Sequence, residues 1–156
     1  MTLQRHEFPI FPLNVVLFPG MALPLHIFEE RYKLMVRQCL AEDRTFGVAL
    51  INSGSEVGNP AVPFSIGTLA HIEAVEPLPD GRMNLRTAGR QRFRIHQIVQ
   101  RSPYLKGVVE VLSEDDGGQP VSPDLLNAIR KLTEEYLKAL IAIRGGWLRE
   151  IPLPQE

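Results

Sequence analysis

Apolar and polar residues alternate along most of this chain, and the period lengthens to that of a helix only twice. Phe8, Ile10, Leu13, Val15, Val16, Leu17 and Phe18 are β-formers and predict extended backbone over the first 27 residues. Pro9, Pro12, Pro19 and Pro24 fall among them. A proline cannot donate to a ladder, so these positions predict edges, bends or bulges. Pro19-Gly20 marks a turn, and a second short extended piece, Ala22 to Ile27, follows. Then Phe28, Tyr32, Met35, Val36, Cys39 and Leu40 recur at i, i+4, i+7, i+8, i+11 and i+12, which predicts one helix over 28–42. Glu29 and Glu30 lie in its first turn, where carboxylates suit the helix dipole.

Thr45 to Ile51 reads as a strand. Asn52 to Ser65, rich in Gly, Ser, Asn and Pro, reads as a surface loop. A meander of four strands comes next. Ala70, Ile72 and Ala74 alternate with His71 and Glu73. After the Pro79-Asp80-Gly81 turn, Met83 and Leu85 alternate with Arg82, Asn84 and Arg86. Gly89-Arg90 punctuates, and Phe93 and Ile95 alternate with Arg92, Arg94 and His96. Beyond Ser102-Pro103, Leu105, Val109 and Val111 close the series. Period-two alternation places one face against a core and one in water, the usual antiparallel arrangement. Asp115 to Gln119 is a break. Ser122 caps a second helix with Pro123 at its first position and Asp124 behind it. Leu125, Ile129, Leu132, Tyr136 and Leu140 form its stripe, Gly145-Gly146 ends it, and a tail runs from Trp147 to Glu156. The chain is therefore expected to be mainly β with α (α+β). Residues 1–118 would form an antiparallel half-closed or closed barrel of about six strands with the inserted helix 28–42. Residues 119–156 would form a helix and tail.

Composition narrows the chemistry. The lone cysteine, Cys39, cannot make an internal disulfide, which fits a reducing compartment. No apolar run approaches the roughly 18 residues that span a bilayer, and Met1 to Pro9 lacks the apolar region of a signal peptide. A cytoplasmic, non-membrane protein is the expectation. No Gly-Lys dipeptide exists, which excludes a Walker-type phosphate loop. His6, His26, His71 and His96 stand apart in sequence and predict neither a metal site nor a cofactor. Ser53-Gly54-Ser55 is not a nucleophile elbow. The pairs Glu29-Glu30 and Glu134-Glu135 and the run Glu114-Asp115-Asp116 read as caps, turns or solvated faces. Cys39, on the inward stripe of the helix, reads as core.

The net charge of −1 hides an asymmetry: seven of the seventeen basic residues lie between Gly81 and Val109 with no acid among them, leaving ten against eighteen acids elsewhere. Arg90, Arg92 and Arg94 share parity on one strand, and Arg86 could join them on the same face. Such a strip would hold acidic polypeptide or phosphate backbone, or simply be a solvated outer face. Phe93 alone among possible stacking partners lies between the arginines, and it points the other way.

The segments Phe11-Pro12-Leu13-Asn14-Val15-Val16-Leu17-Phe18-Pro19-Gly20, Pro24-Leu25-His26-Ile27-Phe28-Glu29 and Arg31-Tyr32 resemble the opening of the Lon protease N-terminal domain. Gly67-Thr68-Leu69-Ala70-His71-Ile72, Asp80-Gly81-Arg82, Gly89 and Arg92-Phe93-Arg94-Ile95 resemble its second block, so the likeness covers roughly residues 8–112. It implies a PUA-like antiparallel pseudo-barrel followed by helices, and recognition of unfolded or degron-bearing polypeptide without catalysis. The ATPase and Ser-Lys protease modules of full-length members do not fit in 156 residues, so the chain resembles a stand-alone bacterial Lon-domain protein or an excised piece of one. No catalytic residue carries over, and Arg31 and Glu29 read as structural ion-pairing groups. The polypeptide-binding surface is expected to combine exposed apolar residues, Met21 and Leu23, with Arg86, Arg90, Arg92 and Arg94 and the 52–65 loop. Its partners would be unfolded chains, and with them a protease or chaperone. The chain itself would be a monomer or weak homodimer. The alternative is an RNA-binding PUA-like module using the arginine face, against which the overall charge argues. A small-ligand pocket would need an aromatic cage, and Trp147 is the only tryptophan.

Overall fold

The computed structural model describes residues 5–58, 61–113, 121–143 and 145. The chain divides into two compact units, Met1–Glu114 and Asp115–Glu156. The first contains β1 (Arg5–Leu13), β2 (Ala22–Ile27), α1 (Glu30–Ala41), β3 (Thr45–Ser53), β4 (Val62–Pro77), β5 (Met83–Gln100) and β6 (Leu105–Val111). The strand order is β2-β5-β4-β3-β1-β6, and β5 also pairs with β6. Five strands thus close a ring, and β2 is added to one half of β5. The fold is mainly β with two helices, as the alternation predicts, and the ring is a pseudo-barrel.

One pairing departs from the antiparallel expectation. β1 runs parallel to β3, with Ile10 opposite Gly47 and Leu13 opposite Leu50. Parallel neighbours need a long crossover, and residues 14–44, with β2 and α1, supply it. The prolines of β1 do not break it. Pro9 lies where β1 pairs with β6 alone, and Pro12 where it pairs with β3 alone.

The predicted four-strand meander is instead two long strands of 16 and 18 residues followed by β6. β4 and β5 are joined by a turn in which Gly81 has φ 80° and Asp80 Oδ1 accepts the Arg82 N–H at 3.2 Å. Gly89-Arg90 does not end a strand. Thr68 pairs with Arg92 and Ala70 with Gly89, so β5 spends three residues where β4 spends two. This is a β-bulge, which bends a strand and re-aims its side chains. The predicted 52–65 loop is also shorter, because Asn52 and Ser53 extend β3 and β4 begins at Val62.

Two cores follow from the pleat. Ile10, Ala49, Leu69, Phe93, Leu105 and Val109 come from all five ring strands and fill its interior. A Cβ at Gly47 or Gly67 would lie 2.7 or 2.6 Å from Phe93 Cζ, so the Phe93 ring occupies space that two glycines leave. The alternate residues Phe11, Phe46, Val48, Ala70 and Ile72 face outward, where Tyr32, Met35, Val36 and Cys39 of α1 and Leu23 and Ile27 of β2 cover them. α1 begins two residues later than the stripe predicts, and Phe28 is left outside it, about half exposed.

The second unit contains α2 (Pro123–Ile143), none of whose residues is buried. Ser122 caps it: its Oγ accepts the Leu125 N–H at 3.4 Å and its carbonyl accepts the Leu126 N–H at 3.0 Å. Gly145, at φ 77°, donates to Ala142 O and ends it. The break at Asp115 to Gln119 and the tail from Trp147 lie outside the described residues.

Candidate functional site

The outward core does not end where its cover ends. Past α1, the segment between β1 and β2 lies across the sheet and is tied down at several points. Thr68 Oγ1, fully within the fold, donates to Leu17 O at 2.6 Å. Gly20 N–H donates to Gly89 O at 2.9 Å, Gly89 N–H to Met21 O at 2.8 Å, and Met21 N–H to Phe18 O at 3.0 Å. The close approach depends on Gly89, since a Cβ there would stand 2.2 Å from Phe18 O. Leu17 tucks under this strap at 4% exposure, while Val16 and Phe18 stand out at 50% and 63%.

Beyond the strap lies an apolar groove of about 350 Å³. Val16 and Phe18 form one wall, Val48 and Leu50 of β3 the floor, Phe64, Ile66 and Thr68 of β4 the far side, and Arg92 of β5 a cationic margin. Val48 belongs to the outward core as well, so the groove is that core continued without its cover. Phe64 and Ile66 of β4, both lining the groove, are 47% and 42% exposed. A half-buried phenylalanine leaves about 1 kcal/mol of transfer free energy unrealised, and contiguous exposure of this kind marks an interaction surface.

The sequence-predicted binding residues separate. Met21 is exposed in the turn behind the strap. Leu23, expected on the surface, is a core residue at 8% exposure. It lies opposite Thr87, which donates to Leu23 O at 2.7 Å, so pairing with β5 turns its side chain inward. The four arginines do not share one face. Leu85 packs in the outward core and Phe93 in the ring interior, although eight residues apart they would share a side on an unbulged strand. The bulge at Arg90-Gln91 reverses the parity. Arg92 and Arg94 therefore lie on the groove's face, and Arg86 on the opposite one, 3.6 Å from Glu73. Arg90 lines a separate depression with Phe8 and Asp43. The sequence pattern does not point to Phe18 and Ile66, whereas Phe64 and Ser65 lie within the 52–65 loop expected to bind. Their signal is the short Phe64-Ser65-Ile66 alternation, hidden by the glycines and prolines before it.

Elsewhere the polar groups hold structure. Arg31 pairs with Glu29 at 3.0 Å, lies 4.6 Å above the Tyr32 ring, and donates to Glu56 O. The Glu56 carboxylate accepts the Asn14 N–H, tying the loop after β3 to the end of β1. Arg31 and Glu29 thus have the ion-pairing role read from sequence. His26 meets Asn84, His71 meets Thr45 and His96 meets Glu110, each in a different place. Among the described residues no three His, Cys, Asp or Glu side chains come together to hold a metal. Burial pushes the Cys39 thiol up to about 12, with Asp43 and Glu42 adding to the shift, so the thiolate that would react is not formed near neutrality. No helix among the described residues is long and apolar enough to cross a membrane.

Residues 7–153 match the family model of the ATP-dependent protease La (LON) substrate-binding domain. Over 144 residues the chain is 32% identical to the Lon protease of Cytophaga hutchinsonii, covering 87% of this chain and 18% of that protein. It is 32% identical over 135 residues to Lon protease 2 of Herpetosiphon aurantiacus, covering 85% and 16%. The chain thus spans less than a fifth of the length of these relatives. The crystal structure of a Lon N-terminal domain protein from Xanthomonas campestris superposes with a TM-score of 0.63 at 35% identity, over 76% of this chain and 66% of that one. The N-terminal domain of Mycobacterium avium complex Lon protease shares the fold, with a TM-score of 0.59 at 18% identity over 90% and 70% of the two chains.

Proposed function

This chain belongs to the ATP-dependent protease La (LON) substrate-binding domain family, and we propose that it binds unfolded or degron-bearing polypeptide through the groove beside the strap, without transforming it. The observation that carries this reading is the apolar patch of Phe18, Phe64 and Ile66 standing open beside the strap. An extended client chain would lay apolar side chains there and recover the transfer free energy the fold leaves unrealised. A client held in this way would be presented to a protease or chaperone. Affinity is expected in the micromolar range or weaker, because the groove is small.

Titration of labelled unfolded casein into the full chain tests the proposal. Wild-type protein is expected to bind, and Phe18→Ser with Phe64→Ser to weaken binding at least about tenfold, from the loss of two aromatic contacts of about 1 kcal/mol or more each. Both residues are on the surface, so circular dichroism should be unchanged. Absence of binding by the wild type, or equal binding by the double variant, would contradict it. No observation favours the RNA reading, since the arginine strip it needs is divided by the bulge.

A further inference from the structure

One side of α2 is apolar with a strict spacing. Leu125, Ile129, Leu132, Tyr136, Ala139 and Ile143 recur at alternating steps of four and three residues. That spacing averages about 3.5 residues, the repeat that keeps one seam of a helix turned toward a partner helix. The seam is open: Leu125, Ile129, Leu132, Tyr136 and Ile143 are 50–84% exposed. Leu137, Leu140 and Ile141, on another side of the helix, are less exposed. Most of a helix's stability in a protein comes from packing its apolar side, and no residue of α2 is buried. The repeat calls for a helical partner, and the chain has no second helix to spare. α1 is the only other segment with apolar residues at helical spacing, and its Tyr32, Met35, Val36 and Cys39 lie in the outward core.

We infer that α2 pairs along this seam with the α2 of a second copy of the chain. The inference is independent of the groove. The same patch serves both copies, so association closes at two. Ile129 and Ile143 hold one seam position, and Leu125 and Leu132 the other. β-branched residues at the first and leucine at the second favour two strands over three or four. The five large side chains would bury roughly 600 Å² on each copy, about 1,200 Å² in all, the lower limit of interfaces that hold in solution. The dimer is therefore weak, with a dissociation constant on the order of ten micromolar.

The test is sedimentation equilibrium of the full chain across the micromolar range, with circular dichroism at the same concentrations. Mass should rise from one copy to two, and helicity should rise with it, because pairing supports the helix. Leu132→Glu with Tyr136→Glu places charges in the seam and should weaken pairing at least about tenfold. The strand signal in circular dichroism should be kept in that variant, which shows that the sheet is folded. Lys131→Glu, on the polar side of α2, should pair as wild type does. So should Phe18→Ser with Phe64→Ser; loss of the dimer there would make the groove the interface and overturn the inference. A chain that stays a single copy throughout the range would overturn it too, since the seam would then be covered within the chain or left bare. A trimer or larger assembly, or a double-glutamate variant that pairs as tightly as wild type, would do the same.

Discussion

At Gly89 one hydrogen atom fixes where the strap lies, because a methyl group there meets the Phe18 carbonyl, which is backbone and cannot rotate away. Gly89→Ala is expected to destabilise the fold by about 1–3 kcal/mol and to weaken casein binding, measured by urea midpoint and by the same titration. A change in neither would mean the strap yields freely. Cys39 makes a pH-dependent contribution. It keeps its proton in the fold up to about 12, whereas an unfolded thiol loses it near its ordinary value of 9.0. The unfolded state therefore binds fewer protons above 9, and stability falls as pH rises from 9 toward 12, by up to about 1.4 kcal/mol per pH unit. Cys39→Ala should flatten that slope in urea titrations at alkaline pH; an unchanged slope would assign it to other groups. At this scale the sequence was legible where a residue's pattern is local, as with Cys39 on its stripe and Arg31 beside Glu29. It was not legible for Leu23, whose burial depends on pairing with Thr87, 64 residues away.

At the scale of elements, alternation and caps point to both helices and to every strand region, but Gly89-Arg90 reads as a break where β5 runs on, and boundaries err where a long-range pairing extends an element. β4 starts inside a stretch of turn residues because β3 pairs with it at Pro63 and Val62, and no local signal announces a partner. The parallel β1–β3 pair and the bulge of β5 are also products of register. The cap of α2 was readable from Ser122-Pro123. Ser122→Ala is expected to reduce the stability of α2 by about 1 kcal/mol, visible as lower helicity by circular dichroism; unaltered helicity on heating would rule the cap out as a contributor. Within the candidate site, the arginines were conspicuous because they are charged and periodic. The groove was not, because its walls come from three separated segments that meet only in the fold.

At the scale of the whole molecule, both cores and the groove lie within the unit Met1–Glu114. A fragment of residues 1–114 is expected to unfold cooperatively in urea and to bind casein as tightly as the full chain. Loss of either property would make the second unit part of the folded or binding body. The closed ring places one further demand on the chain, and it falls on β5. Upstream of Arg90 this strand serves the outward core through Leu85, and downstream it serves the ring interior through Phe93. Such a strand behaves like a text with one inserted letter. Removing Gln91 would shift the downstream half out of frame, sending Phe93 toward water and Arg92 and Arg94 into the space between Gly47 and Gly67, so the chain tolerates many spellings at this point but only one length.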